Sequence, residues 1–336
     1  MISGQKGRRA RIATILGISV AVGALLVLAL VPSVGSALRP QDQGVTAPAA
    51  ATTCANVANP TIPGYDPVTH EIYVPNSGSS SITVYNETCN LVGTIDLPAN
   101  SIPWQAAFDP SENYMYVTDY GLNVVYEISG TKIVHKVTGF DSPLGITYDP
   151  YWAEMLVVNS GKDEVDFIDA NTLIVDFSTG SNPNQIVYDP LPGCDIVTNS
   201  GSNNVTIYND QTAVWGSVAV GKSPDGIAYD PVSQVVYVTN TGSNTVSILL
   251  STIGGSSVLA TVSGFDQPDA VAWDQADLHI YVTNDGNGKV FELSGGTILK
   301  KVSTASDSVP DGLAYDEFND DMYVSGSNTN LVYVLS

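Results

Sequence analysis

From residue 60 onward, apolar and polar positions recur along the chain at intervals of about forty residues. A proline followed six residues later by an aspartate occurs seven times: Pro60/Asp66, Pro103/Asp109, Pro143/Asp149, Pro183/Asp189, Pro224/Asp230, Pro268/Asp274 and Pro310/Asp316. Successive aspartates are separated by 43, 40, 40, 41, 44 and 42 residues. Seven residues after each one begins a mostly apolar tetrad, such as Tyr237–Asn240 (YVTN) or Leu156–Asn159 (LVVN). A polar turn, an alternating strand such as Val246–Ile248, and in most repeats a last β-rich stretch such as 258–262 complete the unit. Each unit therefore predicts four short strands bounded by Gly, Asn, Pro and Ser turns, with no helical period. Solenoid repeats of this length are helical, whereas four strands per repeat in seven copies predict an all-β, seven-bladed β-propeller of four-stranded blades.

The residue before each repeat Asp is aromatic in all seven copies (Tyr65, Phe108, Tyr148, Tyr188, Tyr229, Trp273, Tyr315), and the one before that is never larger than Val. Alternating strand faces would let the bulky side of one blade fill the space left by the small side of the next. Asp-Pro at five of the repeat aspartates marks turn initiation, and the tetrad Asn is read as a strand-end turn former. The chain ends at Leu331–Leu335, the third strand of the seventh repeat. Residues around 50–58 are expected to add the missing fourth strand and close the ring, since an unclosed ring leaves an edge exposed.

Ahead of the repeats, residues 1–11 form a basic flank and residues 12–31 an uncharged apolar run of 20. That length fits a membrane anchor with its N-terminus inside. Small residues at Gly35, Ser36 and Ala37 equally allow a cleaved signal peptide. Residues 32–53 read as a flexible stalk, and 54–336 as the propeller. Either way the propeller is expected outside the cytoplasm, at the cell surface and anchored, or secreted if the signal is cleaved. Its contact with the membrane would run through the N-terminal helix only.

The tetrads resemble those of the YVTN family of β-propeller repeat proteins. The match is literal at Tyr237–Asn240 and Tyr281–Asn284, degenerate in the other five repeats, and covers roughly residues 55–336. The resemblance implies kinship with archaeal surface-layer-associated and bacterial periplasmic propellers, and more distantly with lactonases, streptogramin lyases and haem d1 domains. It implies no chemistry of its own.

Charge narrows the partners. The chain has 12 basic and 34 acidic residues, and five of the basic ones lie in the first 39 positions, where there is no acid. Beyond them 7 basic face 34 acidic residues, a net of −27 that repels phosphate backbones and excludes nucleic acid as a partner. The three histidines, His70, His135 and His279, fall in a turn, an outer strand and the start of a tetrad strand, off the inner strands where a channel lyase or haem would need them. No nucleophile elbow, P-loop, zincin or dinucleotide motif occurs, and Ser129–Lys132 matches S-x-x-K only within a hairpin turn. Cys54 and Cys89 either pair as a disulfide between the closing strand and the first blade or remain free thiols. Cys194 reads as a small buried hydrophobe. Asn86 and Asn204 head two glycosylation sequons.

One asymmetry suggests a site. The residue after each repeat Pro is Thr61, Trp104, Leu144, Asn184, Asp225, Asp269 or Asp311, so an amide and three carboxylates fall on four neighbouring blades. At one mouth of the channel they would offer hard oxygen ligands suited to Ca²⁺. The alternative is that each Asp caps its own turn, as Pro-Asp-Gly at 224–226 and 310–312 suggests. The functional expectation is a non-enzymatic binding or scaffolding module with a protein or glycan partner. Its alternatives are a metal-dependent channel enzyme of lactonase or sugar-dehydrogenase type and a structural surface-layer component.

Overall fold

The computed structural model describes residues 52–169, 171–191, 193–209, 214–250, 256–304 and 308–336; the basic flank, the apolar run 12–31 and the stalk up to 51 lie outside them. The described chain forms seven four-stranded antiparallel sheets arranged as the blades of a propeller. Six blades take their four strands consecutively from the chain. The fifth is typical, with strands Pro224–Asp230, Val235–Asn240, Thr245–Leu250 and Ser257–Ser263 running outward from the channel. The seventh holds Pro310–Asp316, Asp321–Gly326 and Leu331–Leu335, and its outermost strand is Thr52–Cys54 from the other end of the chain. Thr52 pairs with Val334, Thr53 with Tyr333 and Cys54 with Val332. A disulfide joins Cys54 to Cys89 on the turn after the third strand of the first blade, their Cα atoms 5.0 Å apart. Cys194 is free and buried. Among the described residues no helix is long and apolar enough to cross a membrane.

The core is divided into seven clusters, and each straddles two consecutive blades. Ile82, Val84 and Ile95 of the first blade pack with Met115, Val117 and Ile128 of the second, and Val332 and Val334 of the seventh pack with Ile72 and Val74 of the first. No blade owns a core, so each buries its apolar faces only against its neighbours, and the cluster between the seventh and first blades forms on closure. The aromatics before the repeat Asp lean against these clusters only half-buried, as at Tyr65, Phe108 and Trp273. The small partner position is needed: a Cβ on Gly64 would come within 2.6–2.9 Å of Ala106.

The tetrad has a different role from the turn-forming one its sequence suggests. Its fourth residue is wholly buried, at 0% exposure for Asn76, Asn159, Asn199, Asn240 and Asn284. The Asn240 amide donates to Ser247 on the next strand at 2.9 Å, as Asn76 does to Thr83 at 2.8 Å. The Asn159 and Asn284 amide oxygens accept the backbone N–H groups of Asp141 and Asp266 in the loops entering their blades. The third residue bridges blades: Thr198 Oγ1 accepts from the Gln185 N–H at 3.0 Å and donates to the Asp225 carbonyl of the next blade at 2.7 Å. Thr118 donates likewise to the Leu144 carbonyl at 2.8 Å. Both side chains are buried polar groups with their hydrogen bonds made, which is what allows them inside.

Candidate functional site: the carboxylate cluster at the channel mouth

In the inner strands of blades two to seven the pairing register slips just after the repeat Pro, as between Pro224 and Ile227 or Pro268 and Val271. A bulge of this kind re-aims the side chain it carries. Pro-Asp-Gly at 224–226 and 310–312 is therefore a strand bulge rather than a turn. Its glycine serves a close approach between blades, since a Cβ on Gly226 would lie 2.4 Å from the Asp269 carbonyl oxygen. The residues held in these bulges, Asn184, Asp225, Asp269 and Asp311, sit where the inner strands begin.

Asn184 Nδ2 donates to Asp225 Oδ1 at 2.6 Å across the gap between the fourth and fifth blades. Asp269 and Asp311 converge with a third carboxylate, Asp285, one oxygen from each lying within 4.8 Å of the others. Asp285 directly follows the tetrad strand His279–Asn284, whose end pairs with Pro268, and so reaches the same mouth. At that position the other repeats carry Ser77, Tyr120, Ser160, Ser200, Thr241 and Ser327. The sequence reading missed Asp285; the signal was an acid where every other repeat has a hydroxyl.

All four carboxyls are half-buried in the channel and shifted upward. Burial is the largest cause at each. It takes Asp225 up to about 6, with the Asp311 charge adding and a hydrogen bond with Asp269 opposing. Asp269 is raised well above the carboxylate range by burial and by Asp225, Asp285 and Asp311. Asp285 is pushed to about 8 by burial and by the charges of Asp311 and Asp225. Asp311 rises to about 6 despite a hydrogen bond from Ser327. Carboxyls crowded this way share protons or a cation, because they cannot all ionise alone. Two buried oxygens, Asp285 Oδ1 and Asn184 Oδ1, have no hydrogen-bond partner. Such acceptors are the hard donors a Ca²⁺ ion uses, and Asp285 adds the ligand that the four sequence-derived positions lacked.

The rest of the ring is uncharged. Thr61 Oγ1 is tied to the Pro75 and Pro103 carbonyls at 3.4 and 3.2 Å. Trp104 presents an indole N–H that is buried without a partner. The three histidines lie off the mouth: His70 Nδ1 meets the Tyr65 hydroxyl at 2.9 Å, His135 is on the outer strand Lys132–Thr138, and His279 opens a second strand. Asn86 and Asn204 are half-buried at the end and the start of third strands. The Asn86 side-chain oxygen accepts the Thr88 and Asn90 N–H groups, and the Asn204 oxygen accepts from Asn199 Nδ2 at 2.8 Å.

No protein-family model matches the chain, and no curated protein matches it. Solved structures do. A streptogramin B lyase structure superposes with a TM-score of 0.73 at 13% identity, covering 84% of this chain and 96% of that one. Virginiamycin B lyase from Staphylococcus aureus gives 0.71 at 13%, covering 82% and 94%. Hydrazine synthase from Kuenenia stuttgartiensis gives 0.72 at 17%, covering 88% and 99%. At these identities the likeness is one of fold, the seven-bladed propeller.

Proposed function

We propose that this chain is an exported, surface-displayed propeller of the YVTN type that binds a glycan or protein partner through a Ca²⁺-dependent channel mouth. The observation that carries this reading is the convergence of Asp269, Asp285 and Asp311 beside Asp225, with the Asn184 and Asp285 oxygens left unpaired. Trp104 occupies the same repeat position on the second blade as Asp269 does on the sixth. An aromatic face opposite oxygen-held metal suits a sugar, whose apolar face stacks while its hydroxyls reach the ion. Export is supported by the basic flank followed by the apolar run 12–31, with the propeller outside and residues 1–11 inside. The Cys54–Cys89 disulfide supports it too, since such bonds persist outside reducing compartments.

The test is calcium titration of wild type and of an Asp225→Ala/Asp269→Ala/Asp311→Ala variant, followed by thermal melting. Calcium should raise the Tm of wild type by several degrees at pH 8 and leave the variant unmoved. Equal responses would remove the site.

A second reading, an enzyme working at the same mouth, is favoured by one observation: Asp225, Asp311 and Asp285 are pushed toward neutrality, where general acids and bases operate. Turnover in a lactone and sugar-substrate screen that is lost in the triple variant would decide for it.

A further inference from the structure

A second group of ligating side chains lies at the opposite end of the sixth blade. His279 opens the blade's second strand, Asp277 precedes it by two residues in the turn, and Glu292 lies on the neighbouring strand Lys289–Ser294. One ligand atom from each falls within 4.8 Å of the others. Glu292 is 8% exposed, a buried carboxylate at a position that holds Val84, Phe167, Ile207, Ile248 and Val334 in five other blades. Burying that charge demands a cation. Lys300, its cross-strand neighbour, supplies one only at 3.9 Å from Oε2. His279 Nδ1 is itself buried, 2.9 Å from Glu292 Oε1, yet makes no aligned hydrogen bond. A ring nitrogen and a carboxylate oxygen thus lie at ion-pair distance without an aligned hydrogen bond between them.

The second blade provides an internal control. It carries the same buried glutamate, Glu127, but Tyr114 stands where His279 does. His135 faces Glu127 from the outer strand, where Lys300 faces Glu292, so what distinguishes the sixth blade is an imidazole at the start of its second strand.

We infer that Asp277, His279 and Glu292 form a Zn²⁺ site, with solvent completing the coordination. One imidazole and two carboxylates are a borderline donor set that suits Zn²⁺, whereas Ca²⁺ prefers oxygen alone. Tetrahedral ligands at Zn–N and Zn–O distances of about 2.0–2.2 Å sit roughly 3.3 Å apart, so the three atoms need only small rotamer adjustments.

The experiment uses full-length protein stripped of metal and carrying the mouth substitutions Asp225→Ala/Asp269→Ala/Asp311→Ala, which takes the channel out of the count. Equilibrium dialysis against Zn²⁺ with metal analysis should give one ion per chain. Adding His279→Gln should weaken binding at least tenfold. Adding Lys300→Ala should tighten it several-fold, because a like charge is removed from beside Glu292. Melting without zinc checks that His279→Gln is folded; if it is not, Asp277→Asn at an exposed position carries the same expected loss. No bound zinc in the parent, or undiminished binding in the folded His279→Gln or Asp277→Asn protein, overturns the site.

Discussion

Each inner strand carries an aspartate near one or both ends, and the two ends use the same side chain in opposite ways. At the turn end, Asp230 is buried and its Oδ1 accepts the N–H groups of Val232 and Ser233 at 2.9 and 3.0 Å. Asp66, Asp109, Asp274 and Asp316 repeat this geometry with the residues two and three positions on, and Asp149 and Asp189 accept at least the first of these bonds. At the mouth end, Asp225, Asp269 and Asp311 sit in bulges, face one another, and occur in three blades of seven. An acid repeated around the whole ring answers a local backbone need. An acid that breaks the ring's symmetry answers to something outside the backbone. Symmetry sorts structural carboxylates from candidate ligands here better than burial does.

The comparison can be broken at three points. The largest effect should come from Asp230→Ala, which removes a buried carboxylate and the two bonds it accepts from an exposed turn; hydrogen bonds to a charged group are worth about 1.5–3 kcal/mol each. Urea unfolding should show a loss of roughly 3 kcal/mol that calcium does not change.

The second effect is a pH dependence confined to the mouth. A carboxyl raised above its unfolded value of about 3.9 costs nothing below that pH; the penalty grows as pH rises and is complete above the folded value. For Asp225 and Asp311 the window closes near pH 6, and for Asp285 near pH 8. Without metal, stability should therefore fall as the pH rises from 4 to 8, as measured by urea unfolding at each pH. An Asp225→Asn/Asp269→Asn/Asp311→Asn variant should flatten that slope. A wild-type slope that survives in the variant would place its origin elsewhere in the molecule.

The smallest effect is the most selective. Asp285→Ser restores the hydroxyl of the other repeats and removes one of the charges that hold Asp269 up. The Asp269 carboxyl should then titrate slightly lower in a carbon-detected NMR titration. An unchanged titration would mean that Asp285 is not part of the cluster.

Much of this was legible in the chain, because the repeat writes each position seven times. The blade number, the inner-strand limits of blades two to seven and the ring of residues after each Pro follow from spacing, and the closing strand near Cys54 from the edge that the seventh repeat leaves open. The repeat also hid things. Asp285 departs from a pattern and so carries no pattern of its own. Thr198 and Thr239 look like ordinary strand residues, because the carbonyls they bond, Asp225 and Asp269, belong to the next blade. The tetrad Asn resembles a turn former for the same reason: its partner in the entering loop is 18 residues away. Pairings across blades exist only once neighbouring blades have stacked, and no local preference announces them.

The strand borrowed by the seventh blade also sets an order of events. Thr52 is made before the first repeat, and Val334, its partner, in the seventh. The clasp therefore waits until the third strand of the seventh blade has left the ribosome, and six blades can stack before the circle has anything to close on. Throughout that interval the edge of the third strand, Leu331–Leu335, and the strand meant to cover it are both unpaired. A three-residue clasp rich in threonine is a poor template for strangers. Its own bonds are correspondingly few, and the Cys54–Cys89 link then fastens shut what those bonds alone would hold weakly.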